Sequence, residues 1–380
     1  MKRTAAIILS LILLAPCSAL ATEDISVNAP CAVLMEESTG TILYAKGENE
    51  ERAPASVTKV MTLLLIAEAV DSGAISLDDT VTATARAASM GGSQIWLEAG
   101  EQMSVSEMIK CVAVVSANDC AVALAEHLCG SEEVFIARMN ERAAELGLQH
   151  TNFTNCTGLF DDPEHYTSAL DIAVMSRELL SHEWIKDYTT IWMDSIRNGE
   201  FGLSSTNHLL RSLEGCTGLK TGWTTLAGYC ISASAEREGT EYIAVIMGSD
   251  SSANRNADAS TLINYAFTNW ALVPVADSAL PPVLVSGGVR ASVQPVIEGS
   301  DHILLRRSEA SALERNVSLP ESVAAPIGAG ERLGSLTLSS SGETLVEVPL
   351  VSSEAVEKLG AGGVLLSLFR QLFCLPAFPT

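Results

Sequence analysis

Pro54-Ala55-Ser56-Val57-Thr58-Lys59 leads without a break into Val60-Met61-Thr62-Leu63-Leu64-Leu65-Ile66-Ala67, and Asp71-Ser72-Gly73 follows. The apolar run has the length of a buried helix, with Pro54 suited to its approach and Asp71-Ser72-Gly73 to its end. If Ser56 opens that helix, Ser56 and Lys59 fall on one face within a turn, close enough for the amine to take the hydroxyl proton. A lysine acts as a base only when neutral, and burial and a second nearby cation both favour that form. A serine at a helix start also aims its backbone N–H at a developing oxyanion. The stretch therefore calls for a buried helix carrying a reactive serine at its head.

Two more strings, Ser116-Ala117-Asn118 and Lys220-Thr221-Gly222, follow in that order and well separated. Lys220 supplies the second cation, Ser116 is suited to relay a proton toward a leaving amine, and Asn118 to hold a substrate amide through its own. Gly222 suits a strand that lets a substrate backbone approach closely. Each string alone also has an ordinary reading: Ser56 as a helix cap with Lys59 solvated, or Ser116-Ala117-Asn118-Asp119 as a capping segment before a helix over 121–128. Their shared order and spacing is what points to chemistry.

Together the three strings resemble the S-x-x-K, S-x-N and K-T-G set of the penicillin-recognising serine acyl-transferases. The flanking stretches Met139-Asn140, Leu146-Gly147, Asn155-Cys156-Thr157-Gly158-Leu159, His165-Tyr166-Thr167-Ser168-Ala169-Leu170-Asp171 and Gly218 through Cys230 resemble the D-alanyl-D-alanine carboxypeptidases, the peptidase S11 family of low-molecular-mass penicillin-binding proteins. That resemblance covers about residues 30–267, with Ser168 where the family usually has threonine. It implies an α+β fold of the serine β-lactamase/DD-peptidase kind, an antiparallel sheet flanked by helices with a helical lobe between the Ser56 helix and the Lys220 strand. It assigns catalysis to Ser56, Lys59, Ser116, Asn118 and Lys220. Substrate binding falls to Thr221, Gly222, Trp223 and Arg255, with the Trp223 N–H as second oxyanion donor and Arg255 gripping the terminal carboxylate. The implied reaction removes the terminal D-alanine from peptidoglycan stem peptides through an acyl-enzyme at Ser56, which β-lactams would acylate too.

Lys2-Arg3, the apolar residues 5–14 and Ala19-Leu20-Ala21 have the build of a secretory signal peptide, residues 1–21, with the mature chain beginning at Thr22. Pro16 before Cys17 argues against a lipoprotein site. The reading therefore places the chain outside the cytoplasm, on the outer face of the cytoplasmic membrane. The eight cysteines beyond residue 21 show no C-x-x-C or metal-ligand spacing and read mostly as buried thiols, with one disulfide between Cys216 and Cys230 conceivable. The six histidines form no metal pattern, so neither metal nor cofactor is inferred. The formal charge of −23 disfavours nucleic acid and makes Lys59, Lys220 and Arg255 stand out as a local trap for a peptide carboxylate.

The catalytic domain is read over 22–273. Pro274 and Pro281-Pro282 mark a boundary, and short alternating or β-branched runs predict a small all-β domain over 282–351. The tail, 355–380, carries an apolar run over 364–373 that is too short to span a bilayer and is read as an amphipathic helix for peripheral membrane contact. It lacks the usual basic face, and a core-packed terminal helix is the alternative.

Three rivals share these features. A class A β-lactamase adds an E-x-x-L-N glutamate, and the nearest strings, at 145–149 and 200–204, do not end in asparagine. A DD-endopeptidase would use the same site with a different entrance. A non-catalytic wall-binding protein would have no need of intact Ser56, Lys59, Ser116 and Lys220.

Overall fold

The computed structural model describes residues 25–363. The signal segment, Cys17, Cys374 and the apolar run at 364–373 lie outside the described residues.

The first half of the chain supplies β1 (Cys31–Glu36), β2 (Ile42–Lys46), a 3₁₀ turn at Ala55–Thr58 and α1 (Lys59–Asp71). Helices α2 (Val105–Val115), α3 (Asn118–Cys129), α4 (Glu132–Glu145) and α5 (Ala169–Leu180) follow, then β3 (Cys216–Thr224), β4 (Gly228–Arg237), β5 (Thr240–Ser249) and α6 (Ser252–Asn269). The strands form one antiparallel sheet in the order β2-β1-β5-β4-β3.

Side chains alternate across a strand, so one strand can serve two cores. Cys31, Val33 and Met35 of β1 join the core that holds α1 and the helical lobe. Ala32 and Leu34 face the other way, onto Ala259, Leu262, Ile263 and Ala266 of α6. With both faces covered, every residue of β1 is buried. Helix α1 is apolar on nearly every side and packs among α3, α5 and the sheet, as a helix without a solvent face must.

Strand β3 lies at the edge of the sheet and runs past the Ala55–Thr58 turn. Its Gly222 is pressed against that turn: a Cβ there would stand 2.9 Å from the Pro54 carbonyl oxygen and the Ser56 nitrogen. The glycine expected to admit a substrate backbone first admits the protein's own.

Beyond α6 come β6 (Trp270–Pro274), β7 (Val283–Ser286), β8 (Ser292–Val293), β9 (Pro295–Ile297), β10 (His302–Arg306), β11 (Leu313–Ser318), β12 (Ser322–Ala324), β13 (Arg332–Ser340) and β14 (Glu343–Ser352). They make a two-stranded sheet, β6-β10, a three-stranded one, β8-β7-β12, and a four-stranded one, β9-β14-β13-β11, with a short helix at Arg307–Ser311 between β10 and β11. Pro274 is not in a free linker. It ends β6, which pairs antiparallel with β10 over its whole length. Arg307 Nε donates to the Phe267 carbonyl at 2.8 Å and Arg315 Nη2 to that of Pro274 at 2.8 Å, tying the join further.

The seven described cysteines are all free. Cys216 sits opposite Ala235 and Cys230 opposite Gly222, so the β3–β4 register separates the pair considered for a disulfide. Among the described residues no helix is long and apolar enough to cross a membrane.

Asp258 of α6, 3% exposed, fastens the helix to the chain entering β1. Its carboxylate accepts from the backbone N–H groups of Asn28 at 3.0 Å and Ala29 at 2.9 Å, and from Asn28 Nδ2 at 3.1 Å. Asp258→Ala leaves these donors without an acceptor and is expected to cost about 2–4 kcal/mol. Urea unfolding checks this, with the midpoint falling at unchanged slope; an unchanged midpoint would show that the tether contributes nothing.

Candidate active site

In a 3₁₀ turn, side chains three apart eclipse one another. Ser56 lies within the Ala55–Thr58 turn and Lys59 begins α1, and the Lys59 Nζ stands 3.0 Å from the Ser56 Oγ. The expected proximity is present, produced by a tighter turn than an α-helix start.

Lys59 is wholly buried, and its amine also donates to Asn118 Oδ1 at 2.6 Å and to the Thr157 carbonyl at 2.7 Å. Asn118 is held in that orientation because its Nδ2 donates to the Gly91 carbonyl at 2.8 Å, an atom that can only accept. Burial pushes the Lys59 amine down to about 7, with partial opposition from Asp119 and Cys156. A neutral amine has two N–H bonds and one lone pair. With the two N–H bonds committed to acceptor-only oxygens, the lone pair is left for the Ser56 hydroxyl.

Lys220, 1% exposed, is held well below the ordinary lysine range by burial, then by the charges of Lys59 and Arg255. Its amine donates to the Thr221 carbonyl at 2.9 Å. For Lys59 itself, burial rather than Lys220 is the principal depressing influence. Ser116 closes α2 in the left-handed region, φ 63°, and its buried Oγ has no hydrogen-bond partner among the described residues.

These groups surround a cleft of about 360 Å³ lined by Ser56, Ser116, Thr221, Gly222, Trp223 and Arg255. Thr221 Oγ1 is 2.7 Å from Thr206 Oγ1, and Trp223 stands 56% exposed at the rim. Arg255 is 5% exposed, and Asn256 Oδ1 accepts from its Nε at 3.0 Å and its Nη2 at 2.9 Å. An arginine and a hydroxyl lining the same cleft suit a carboxylate.

Lys59, Asn118 and Lys220 lie behind the cleft wall. Asn118, 1% exposed, meets Lys59 and Gly91, so it orients the amine, a task that sequence reasoning did not give it. Sequence reasoning missed Ser93, Thr206, His208, Tyr229, Ser252 and Asn256 in the lining. Ser93 arrives because Asp119 accepts from the N–H groups of Ile95 and Leu97 at 3.0 and 3.1 Å, while Asn118 N–H donates to the Ser93 carbonyl at 2.7 Å. The motif helix thus carries its own neighbouring loop. Gly91-Gly92 was the available hint of a turn there.

A serine hydroxyl paired with a buried amine, opening onto a cleft that can receive a carboxylate, belongs to the active-site-serine acyl-transfer enzymes. Its relatives narrow that class. Residues 18–251 match the family model described as D-alanyl-D-alanine carboxypeptidase, and residues 275–358 match that of the penicillin-binding protein 5 C-terminal domain. The chain belongs to the D-alanyl-D-alanine carboxypeptidase family. It is 40% identical over 345 residues to the D-alanyl-D-alanine carboxypeptidase DacF of Bacillus subtilis (strain 168), covering 89% of this chain and 88% of that one. The crystal structure of penicillin-binding protein 5 from Haemophilus influenzae superposes with a TM-score of 0.76 at 27% identity, over 89% of this chain and all (100%) of that one. Penicillin-binding protein D2 of Listeria monocytogenes in its ampicillin-bound form has a TM-score of 0.59 at 29% identity, over 65% of this chain and 100% of that one. The α+β architecture with its following β domain is that of this family.

Gly222→Ala places a methyl against Pro54 and Ser56 and is expected to slow acylation by a penicillin at least tenfold. A stopped-flow or gel-labelling time course measures it; a rate equal to wild type would mean that the turn yields without disturbing Ser56.

Proposed function

We infer that this protein is a serine D-alanyl-D-alanine carboxypeptidase that releases the terminal D-alanine of peptidoglycan stem peptides and is acylated by β-lactams. The observation that carries the reading is the Lys59 amine, whose N–H bonds are committed to Asn118 Oδ1 and the Thr157 carbonyl while Ser56 Oγ stands 3.0 Å away. Family membership supports the same reaction.

The substrate carboxylate docks at Arg255 and Thr221, which brings the carbonyl between the two D-alanines to Ser56. Neutral Lys59 takes the hydroxyl proton as Oγ attacks. The Ser56 N–H, with the Trp223 N–H as second donor, stabilises the tetrahedral oxyanion. The Ser116 hydroxyl relays the proton that Lys59 has taken to the departing D-alanine nitrogen, leaving Lys59 neutral again. Water then attacks the acyl-enzyme and restores Ser56. A β-lactam follows the first half of the cycle, its ring amide opening in place of the peptide bond.

The signal segment at 1–21 is proposed to export the chain, and the 355–380 tail to hold it peripherally on the outer face of the cytoplasmic membrane. Full-length protein that washes from membranes as freely as a chain ended at Ser353 would rule out the anchor.

D-alanine release from an acyl-L-lysyl-D-alanyl-D-alanine peptide is expected from the chain beginning at Thr22 and lost from Ser56→Ala. A folded wild-type chain releasing none would redirect the reading to cross-link cleavage or wall binding. The rate of penicillin acylation is expected to climb about tenfold per pH unit below 7 and level above it, because the active Lys59 is the deprotonated one. A rate that falls as pH rises through 7 would assign catalysis to the ammonium form.

A further inference from the structure

Thr58 and His165 take no part in the steps above, yet they meet directly behind the nucleophile's turn. His165 is 2% exposed and packs against Phe153, ring centroids 5.7 Å apart. Its Nδ1 lies 3.0 Å from the backbone nitrogen of Thr154. A backbone N–H only donates, so Nδ1 carries no proton and the ring hydrogen sits on Nε2. Nε2 therefore donates to Thr58 Oγ1 at 2.7 Å, and the Thr58 hydroxyl gives its own hydrogen to the Ala55 carbonyl at 2.8 Å. Each direction in this chain follows from the one before.

The Ala55 carbonyl is one end of a peptide plane whose other end is the Ser56 N–H. Because that unit is planar and trans, fixing the oxygen fixes the heading of the hydrogen. The plane needs holding, since Ala55 adopts φ +50°, where an L-residue with a Cβ is seldom found. The space around the oxygen is equally restricted: at Gly158, φ +68°, a Cβ would stand 1.8 Å from it.

We propose that His165 and Thr58 form a positioning relay that holds the Ser56 N–H on the oxyanion of the tetrahedral intermediate. The proposal rests on the serine carboxypeptidase reading. Neither residue touches substrate. The relay acts through the imidazole hydrogen and the threonine hydroxyl, and burial keeps His165 neutral by lowering it to about 4, aided by Lys59 and opposed by Asp162.

The test uses the full chain with Thr58→Val, which keeps the shape and removes the hydroxyl, and Thr58→Ser, which keeps the hydroxyl. His165→Ala and His165→Gln form a second pair, the glutamine amide replacing the Nε2 donor. Three quantities are measured: the penicillin acylation rate, the affinity for a peptide boronic acid whose adduct mimics the tetrahedral intermediate, and KM for the peptide. Thr58→Val and His165→Ala are expected to lose about 10–100-fold in acylation and in boronate affinity together, with KM changed less than threefold. Thr58→Ser and His165→Gln should stay within about threefold of wild type, and the Thr58→Val/His165→Ala double variant should acylate no more slowly than either single one.

Wild-type acylation in Thr58→Val, or a loss confined to KM with boronate affinity intact, would overturn the relay. Should Thr58→Val fail to fold, the His165 pair decides: equal acylation rates in His165→Ala and His165→Gln overturn it. A wild-type chain that no penicillin acylates would instead sink the carboxypeptidase reading.

Discussion

Taking the Lys59 amine out of water is the constraint around which the catalytic unit is arranged. A charged ammonium in a dry interior is costly, and the deficit is met by giving up the proton. That outcome requires protein on every side of the head of α1. The sheet edge, α3 with its preceding Ser116-Ala117, and the loop at Asn155-Cys156-Thr157-Gly158 each supply part of the enclosure. Thr62 Oγ1 donates to the Cys156 carbonyl at 2.7 Å, fastening this loop one turn along from the carbonyl that Lys59 uses. The helical lobe is thus the means by which a lysine becomes a base at neutral pH.

Three places of close backbone approach make the enclosure fit. Gly222 lets β3 lie against the Pro54–Ser56 backbone, Gly158 lets the lobe lie against Ala55, and Gly92 clears the side chains of Leu159 and Asn118. At each, a methyl group would meet an atom of the site at 2.9 Å or less. Glycine here serves closeness, since the atoms displaced belong to the turn that carries Ser56 and to the amide that orients Lys59.

The catalytic strings were legible because their chemistry is local or nearly so. Ser56 and Lys59 are one turn apart, and α1 announced itself as an unbroken apolar run. The sheet topology was not legible, because β1 is buried on both faces and shows no alternation of apolar and polar residues; only the family resemblance supplied it. Asn118 was found, but its contact with Lys59 was not. Its type indicates hydrogen bonding, while its partner, Lys59, lies far away in the chain and is set by how α3 packs on α1. The lining residues Thr206 and Tyr229 left no signal, being ordinary types brought in by a loop and by the partner strand of β3, and Ser93 had only the Gly91-Gly92 turn before it. Pro274 was read as the start of a boundary, and what the sequence did not show is that, as the last residue of β6, it ends a strand that is still fully paired.

That strand bears on how force travels through the molecule. Helix α6 carries Arg255 near its start and passes at Asn269 straight into β6, which is zipped to β10. No slack length of chain intervenes between the helix that holds the cleft's arginine and the β6–β10 ladder. That join is a splice rather than a hinge, so a pull that reaches β10 is passed across the ladder to α6 and the wall of the cleft.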